Sequence, residues 1–270
     1  MWRPRTNIAV GAILALATVS ACSTPTDSPA GGGENGIVVA LAEAPDALDP
    51  TTAQTFVGTI VLSNICEALY DIDESLKVVP ELATALPEIS PDGLTYTIPL
   101  RSGVTFNDGT PFDAQAVKTT LERGKNDPKS SRSADLAPLT SVEVVDPTTV
   151  KLTLNAPNAP FTAALAGRIG MIQSPTQLEK LGSDFSQHPV CVGPFEFSSR
   201  PSAEHIEVVR SDDYYAKDTV ALDKVTFQTI TQANVRAANL RSGEVDIAER
   251  LSPTDSSTLE AAPDIALQQV

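Results

Sequence analysis

The residues able to carry chemistry are few and far apart. Three cysteines stand at Cys22, Cys66 and Cys191, and the histidines are His188 and His205. The two histidines are 17 positions apart and share no recognisable metal-ligand spacing with the carboxylates, so they read as surface or strand residues and no metal site is expected. The 34 Asp and Glu residues are scattered, and pairing any two as an acid/base dyad would be arbitrary. Neither a glycine-rich nucleotide loop nor a G-x-S-x-G nucleophile elbow occurs. Tyr214-Tyr215 reads as packing. These residues name no catalytic group and no cofactor, and the chain reads as a non-enzyme.

Composition narrows the field further. The 270 residues are 41% hydrophobic and 20% charged, enough to bury a sizeable core in one large or two modest domains, and 21 prolines argue for many turns. A formal net charge of −15 excludes a nucleic-acid partner, because phosphate binding needs a basic face. The acidity suits the solubility of an exposed protein.

The N-terminus is a targeting segment. Arg3 and Arg5 precede an apolar run from Ile8 to Ala21, which is shorter than the roughly 20 residues a membrane-spanning helix needs. The run ends in Val19-Ser20-Ala21-Cys22, which resembles the processing motif of bacterial lipoproteins, with Cys22 as the lipid acceptor. An ordinary cleaved signal with an incidental cysteine is the alternative. Residues 1–21 are read as the signal and residues 22–36, rich in Ser, Thr, Pro and Gly, as a flexible tether. Lipidation of Cys22 leaves Cys66 and Cys191 as a pair. An extracytoplasmic location permits a disulfide between them, which is the expectation; two separate buried thiols are the alternative.

The elements that must position these residues follow from periodicity. Gly36–Leu41 reads as a buried strand and Thr55–Leu69 as a helix packed on a core. Leu94, Tyr96, Ile98 and Leu100 alternate with polar residues as a half-buried strand, and Val104–Phe106 continues as a short second strand before the turn residues Asn107-Asp108-Gly109. Asp113 caps a helix to Arg123, and residues 124–138 read as loop. Val142–Val144 and Val150–Leu154 form a hairpin about Asp146–Thr149. A short helix follows at Pro160–Gly167, then one opened by Ser174 and closed by Gly182. Ile206–Arg210 and Asp223–Ile230 are strands, Asn234–Arg241 a helix, Glu244–Ile247 a buried strand, Pro253–Leu259 a helix, and Ile265–Val270 the start of a last strand. The mixture is α/β.

Taken in order, several segments resemble the family 5 extracytoplasmic solute-binding proteins of ABC importers, the peptide-, dipeptide- and nickel-binding class. They are Ala47-Leu48-Asp49-Pro50, Ile65-Cys66-Glu67-Ala68-Leu69-Tyr70, Pro80-Glu81-Leu82-Ala83, Asp92–Tyr96, Leu100–Phe112, Gly193-Pro194-Phe195 and Ser242–Ile247. Two segments depart from the usual pattern: Cys191–Phe195 stands for the commoner G-T-G-P-Y, and Ser211–Tyr215 only partly matches R-N-x-x-Y-W.

The resemblance implies a clamshell of the periplasmic-binding-protein type II kind. Residues 37–70 and 187–262 would form its ligand-facing α/β domain and residues 71–186 an accessory subdomain. Residues 263–270 would begin a hinge crossover to a second lobe that this chain lacks, since family members run to about twice its length. Cys66 and Cys191 would then share a domain, which favours the disulfide. The implied function is non-covalent capture of peptides or similar small solutes and their delivery to an ABC permease and its ATPase. The protein would be a monomer held by Cys22 on the extracytoplasmic face of the bacterial cell membrane. The loop Glu43, Ala44, Pro45 and Asp46 falls where family members approach ligand; an ordinary surface turn is the alternative. A truncated, non-transporting envelope lipoprotein of the same family is the alternative function. The stretch Leu94–Phe112 would be scaffold, away from the ligand.

Overall fold

A computed structural model describes residues 35–268. The signal at 1–21, the acceptor Cys22 and all but the last two residues of the tether lie outside the described residues. The chain opens with strand β1 (Gly36–Leu41), whose apolar run is buried along most of its length. A loop leads to helix α1 (Phe56–Ile65), where Thr55 accepts a hydrogen bond from the Gly58 amide as N-cap. A two-stranded ribbon follows, β2 (Tyr70–Ile72) with β3 (Val78–Pro80), and then β4 (Glu88–Ile89) and β5 (Thr95–Pro99). Helix α2 (Ala114–Asn126) starts at Asp113, whose carboxylate accepts from the Ala116 amide at 2.9 Å, and it runs three residues past the expected Arg123. The expected hairpin is present as β6 (Leu139–Asp146) and β7 (Thr149–Leu154). Short helices α3 (Phe161–Ala164) and α4 (Pro175–Leu181) complete this region. Strands β8 (Phe195–Ser202), β9 (His205–Arg210) and β10 (Lys224–Thr229) come next, then helix α5 (Ala233–Ser242), strand β11 (Ile247–Ala248) and helix α6 (Pro253–Leu259).

Two main sheets result. One has the order β11-β1-β10-β9-β8, with β1 parallel to both of its neighbours. A strand hydrogen-bonded on both edges and covered on both faces must be apolar throughout, which is why the sequence of β1 shows no alternation. Val39 and Leu41 pack with Val57, Val61 and Ile65 of α1, while Val38 and Ala40 face Val245 and Leu240 on the other side. The second sheet, β4-β5-β7-β6, is antiparallel; it buries Tyr96, Ile98, Val142 and Leu152 with Val117 and Leu121 of α2.

Three expected strands differ. Val104–Phe106 makes only a single bridge, Thr105 to Pro111, because the chain reverses at once through Asn107-Asp108-Gly109, with Gly109 at φ +75°. The turn is held instead by Phe106 and Phe112, packed edge to face at 6.1 Å. At Glu244–Ile247 the buried residue is Val245, and the strand covers only Ile247–Ala248. No strand forms at 265–268.

The two sheets join along a seam where the chain that left at residues 65–70 comes back at 190–195. Cys66 and Cys191, 125 positions apart, are bonded, with sulfurs 2.05 Å apart. The Glu67 amide donates to the Val192 carbonyl at 2.7 Å, and the Asn107 amide donates to the Cys191 carbonyl at 2.9 Å. The Asn107 side chain then gives to the Phe195 carbonyl at 3.0 Å and accepts from the Ser211 hydroxyl at 3.0 Å. A second tie is buried: Arg123 of α2 forks onto Asp49 at 2.9 and 2.6 Å, and Gln173 bonds both.

Gly193 passes so close to α1 that a Cβ there would lie 2.1 Å from the Ile65 carbonyl oxygen. Neither backbone can yield, so Gly193→Ala should cost more than about 3 kcal/mol in urea unfolding. Gly103→Ala is the contrast: φ is +71° but the site is open, so only the backbone term of about 1 kcal/mol applies. Replacing Cys66 and Cys191 together by alanine should lower stability by about 2–5 kcal/mol, because the bridge closes a long loop in the unfolded chain. A midpoint unmoved by non-reducing against reducing conditions would contradict that.

Candidate functional site

In open α/β sheets, ligands bind in the crevice beyond the C-terminal ends of parallel strands. Strands β1, β10 and β11 run parallel, so the loops after them, Ala42–Asp46, Ile230–Gln232 and Glu249–Ser252, share one rim. One buried side chain organises that rim. Arg236 of α5 is only 3% exposed; its guanidinium donates to the Ile230 carbonyl at 2.6 Å, the Glu249 carbonyl at 3.0 Å and the Arg250 carbonyl at 2.6 Å. Carboxylates replace the missing ladder bonds of the very short β11. Asp246 accepts from the Val38 amide at 2.7 Å and Glu249 from the Ala42 amide at 2.8 Å.

On this scaffold the four sequence-named loop residues take different positions. Asp46 serves α1: it accepts from the Gln54 amide at 2.8 Å and from the Thr55 amide and hydroxyl at 3.2 and 2.6 Å. Burial pushes its carboxyl up, but those hydrogen bonds outweigh it and hold the group below its ordinary value. Pro45 is buried, its carbonyl accepting from Arg200 at 3.1 Å, and Ala44 is half-buried. Glu43 points outward and meets Arg250 at 3.4 Å. Arg250 has φ +51°, and its guanidinium lies 5.7 Å over the ring of Phe56, which is 61% exposed. The rim therefore presents an acid, a base and an aromatic face. Such a surface can bind a small polar solute. Sequence reasoning missed Phe56, Arg236 and Arg250; a lone arginine in a polar helix carries no local sign that three carbonyls will surround it.

A second group of carboxylates lies at the seam. Glu67 is 6% exposed and accepts from the hydroxyls of Tyr214 and, at 3.1 Å, Tyr215; its other oxygen has no partner among the described residues. The tyrosine pair, read from sequence as packing, thus also solvates a buried acid. Glu81 accepts from the Ala68 amide at 2.7 Å. Burial, then the charge of Glu67, pushes the Glu81 carboxyl up to about 8. His188 packs edge-on against Phe197 and His205 sits by Ser202, and among the described residues no group of three or more His, Cys, Asp or Glu could hold a metal ion. Nor is any described helix long and apolar enough to cross a membrane.

The seam acids set a pH dependence. Because the folded-state value of Glu81 lies above its ordinary 4.5, the folded chain carries a proton that the unfolded chain lacks between about pH 4.5 and 8. Its contribution to stability is therefore fully present below pH 4.5 and lost as pH rises through 8, with a slope of at most about 1.4 kcal/mol per pH unit. Urea midpoints measured from pH 5 to 8 should fall less in Glu81→Gln than in the parent; identical slopes would contradict the assignment.

Residues 77–270 match the family described as bacterial extracellular solute-binding proteins, family 5 Middle. Glutathione-binding protein GsiB of Salmonella paratyphi A is 37% identical over 180 residues, which is 66% of this chain and 35% of that protein. The periplasmic binding protein DppA of Helicobacter pylori, solved in complex with the peptide STSA, superposes with a TM-score of 0.77 at 28% identity, covering 84% of this chain and 49% of that one. AgaA of A. tumefaciens R10, solved with agropinic acid, gives 0.77 at 32% identity, with 84% and 46% covered. The chain thus spans about a third of its curated relative and about half of these solved structures, matching one lobe of their fold. On this fold and these matches, the chain belongs to the family 5 bacterial extracellular solute-binding proteins.

Proposed function

We propose that this chain is the first lobe of a substrate-binding lipoprotein of an ABC importer, capturing peptides or similar small solutes without chemical change and passing them to a membrane permease driven by its ATPase. The observation that carries this reading is the rim: three loops at the C-terminal edge of parallel strands, clamped by one buried arginine, with Glu43, Arg250 and Phe56 left facing solvent. An exposed acid, base and aromatic face suit a peptide or similar small polar solute, with water filling the gaps. Residues 37–70 and 187–262 form the ligand-facing domain and residues 71–186 the accessory subdomain. Residues 263–270 lead toward a hinge crossover. Glu43, Ala44, Pro45 and Asp46 lie along the ligand path, Asp46 by fixing the start of α1. The mature chain is a monomer tethered through a lipid on Cys22 at the extracytoplasmic face of the cell membrane.

Two measurements test the reading. Equilibrium dialysis of the chain against a defined mixture of di- to pentapeptides should give saturable, one-to-one retention. Absence of retention at every length would reject solute capture by this chain and favour a non-transporting envelope lipoprotein. In a bacterial host fed labelled palmitate, the parent should incorporate label and fractionate with membranes, while Cys22→Ser should lose the label and become soluble. An unlabelled parent would reject the anchor.

A further inference from the structure

The pairing of Arg250 with Glu43 is built to be exchanged. Arg250 has a left-handed backbone, φ +51°, a conformation that L side chains seldom adopt unless the surroundings impose it. Here they do: Arg236 grips the carbonyls of both Glu249 and Arg250. The grip acts on main-chain atoms alone, so it aims the Arg250 side chain without using it.

What the side chain meets is weak. Its contact with Glu43 is 3.4 Å long, and the two side chains are 51% and 48% exposed. A second contact, from Nε to Glu249, is 3.7 Å. Exposed pairs of this kind are screened by water and contribute little. Arginine satisfies itself best with two parallel hydrogen bonds to one carboxylate, and neither neighbour supplies them here. The guanidinium also lies 5.7 Å over the exposed ring of Phe56.

We infer that Arg250 is the carboxylate-binding residue of this rim, and that Glu43 is an internal stand-in which a carboxylate on the solute displaces. The inference rests on the solute-capture reading and adds the chemical class of the ligand: small molecules with a free carboxylate, such as peptides with an unblocked C-terminus. No covalent step is involved. Arg250 gives two N–H donors to the incoming carboxylate, and Glu43 returns to water.

The test uses the tripeptide Ala-Phe-Ala and its C-terminal amide, titrated into the chain and its variants by calorimetry. The parent should bind the acid about tenfold more tightly than the amide. Arg250→Gln should weaken the acid about tenfold and leave the amide unchanged, and Arg250→Lys should fall between. Glu43→Gln, by removing the competitor, should tighten the acid several-fold. An unmoved urea midpoint in Arg250→Gln would exclude a folding effect. If both peptides bind the parent equally and Arg250→Gln changes neither, the carboxylate role is overturned while solute capture stands. Equal weakening of both peptides by Arg250→Gln would also overturn it. If the parent binds neither these nor any peptide of the dialysis mixture, the capture reading itself fails, and the role of Arg250 with it.

Discussion

The structure depends on one close approach, the passage of residues 190–195 across residues 65–69. The chain leaves the first sheet at the end of α1, builds a whole second sheet, and must re-enter beside its own exit. Gly193 allows the two backbones to touch, the Cys66–Cys191 bond fixes them, and the Glu67–Val192 hydrogen bond sets their register. Only from that point can β8, β9 and β10 be laid down so that β10 reaches β1 and pairs with it along all six residues. The pairing joins residues far apart in sequence, Gly36 with Lys224 through Leu41 with Thr229, so its loop-closure cost is high, and a covalent tie across 125 positions offsets part of it.

Two polar ties carry the rigidity of the seam outward. Asn107 uses its amide, its carbonyl and its backbone N–H, joining the Asn107–Gly109 turn to Cys191, Phe195 and Ser211. Arg123 and Gln173 hold Asp49, which lies just past the rim loop 42–46. A buried ion pair of this kind adds little net stability, since desolvating its charges is costly. Its effect is on geometry: removing one partner leaves a buried charge, so the loop has one acceptable position. The rim inherits that fixity on one side from Asp49 and on the other from Arg236.

Much of this could be read from sequence because local chemistry and tertiary structure agree. The β6–β7 hairpin, the Asp113 and Ser174 caps and the uniformly apolar β1 each follow from patterns over a few residues. The failures share a cause, which is that the decisive partner is distant. Val104–Phe106 alternates like a strand, but the chain turns back after it at once and residues 110–112 beside it allow only a single bridge. Strand β11 is too short to register, its backbone pairing extended by the Asp246 and Glu249 side chains. Glu67 and Glu81 look like two ordinary acids until the fold buries them near each other, Glu67 against the hydroxyls of Tyr214 and Tyr215. Nothing local marks Glu43–Asp46 as part of a rim; only the family resemblance points to it. Its other half, at Phe56 and Arg250, comes from elements that β-strand order alone brings together.

Under the proposed function, solute meets the chain at the C-terminal edge of β1, β10 and β11. Hydrogen exchange read by mass spectrometry, with and without a saturating peptide mixture, tests it most directly. Exchange should slow at residues 42–46, 230–232 and 249–252, with α2, α4 and the β4–β7 sheet unchanged. Protection confined to α2 and α4, with none at the three loops, would contradict it.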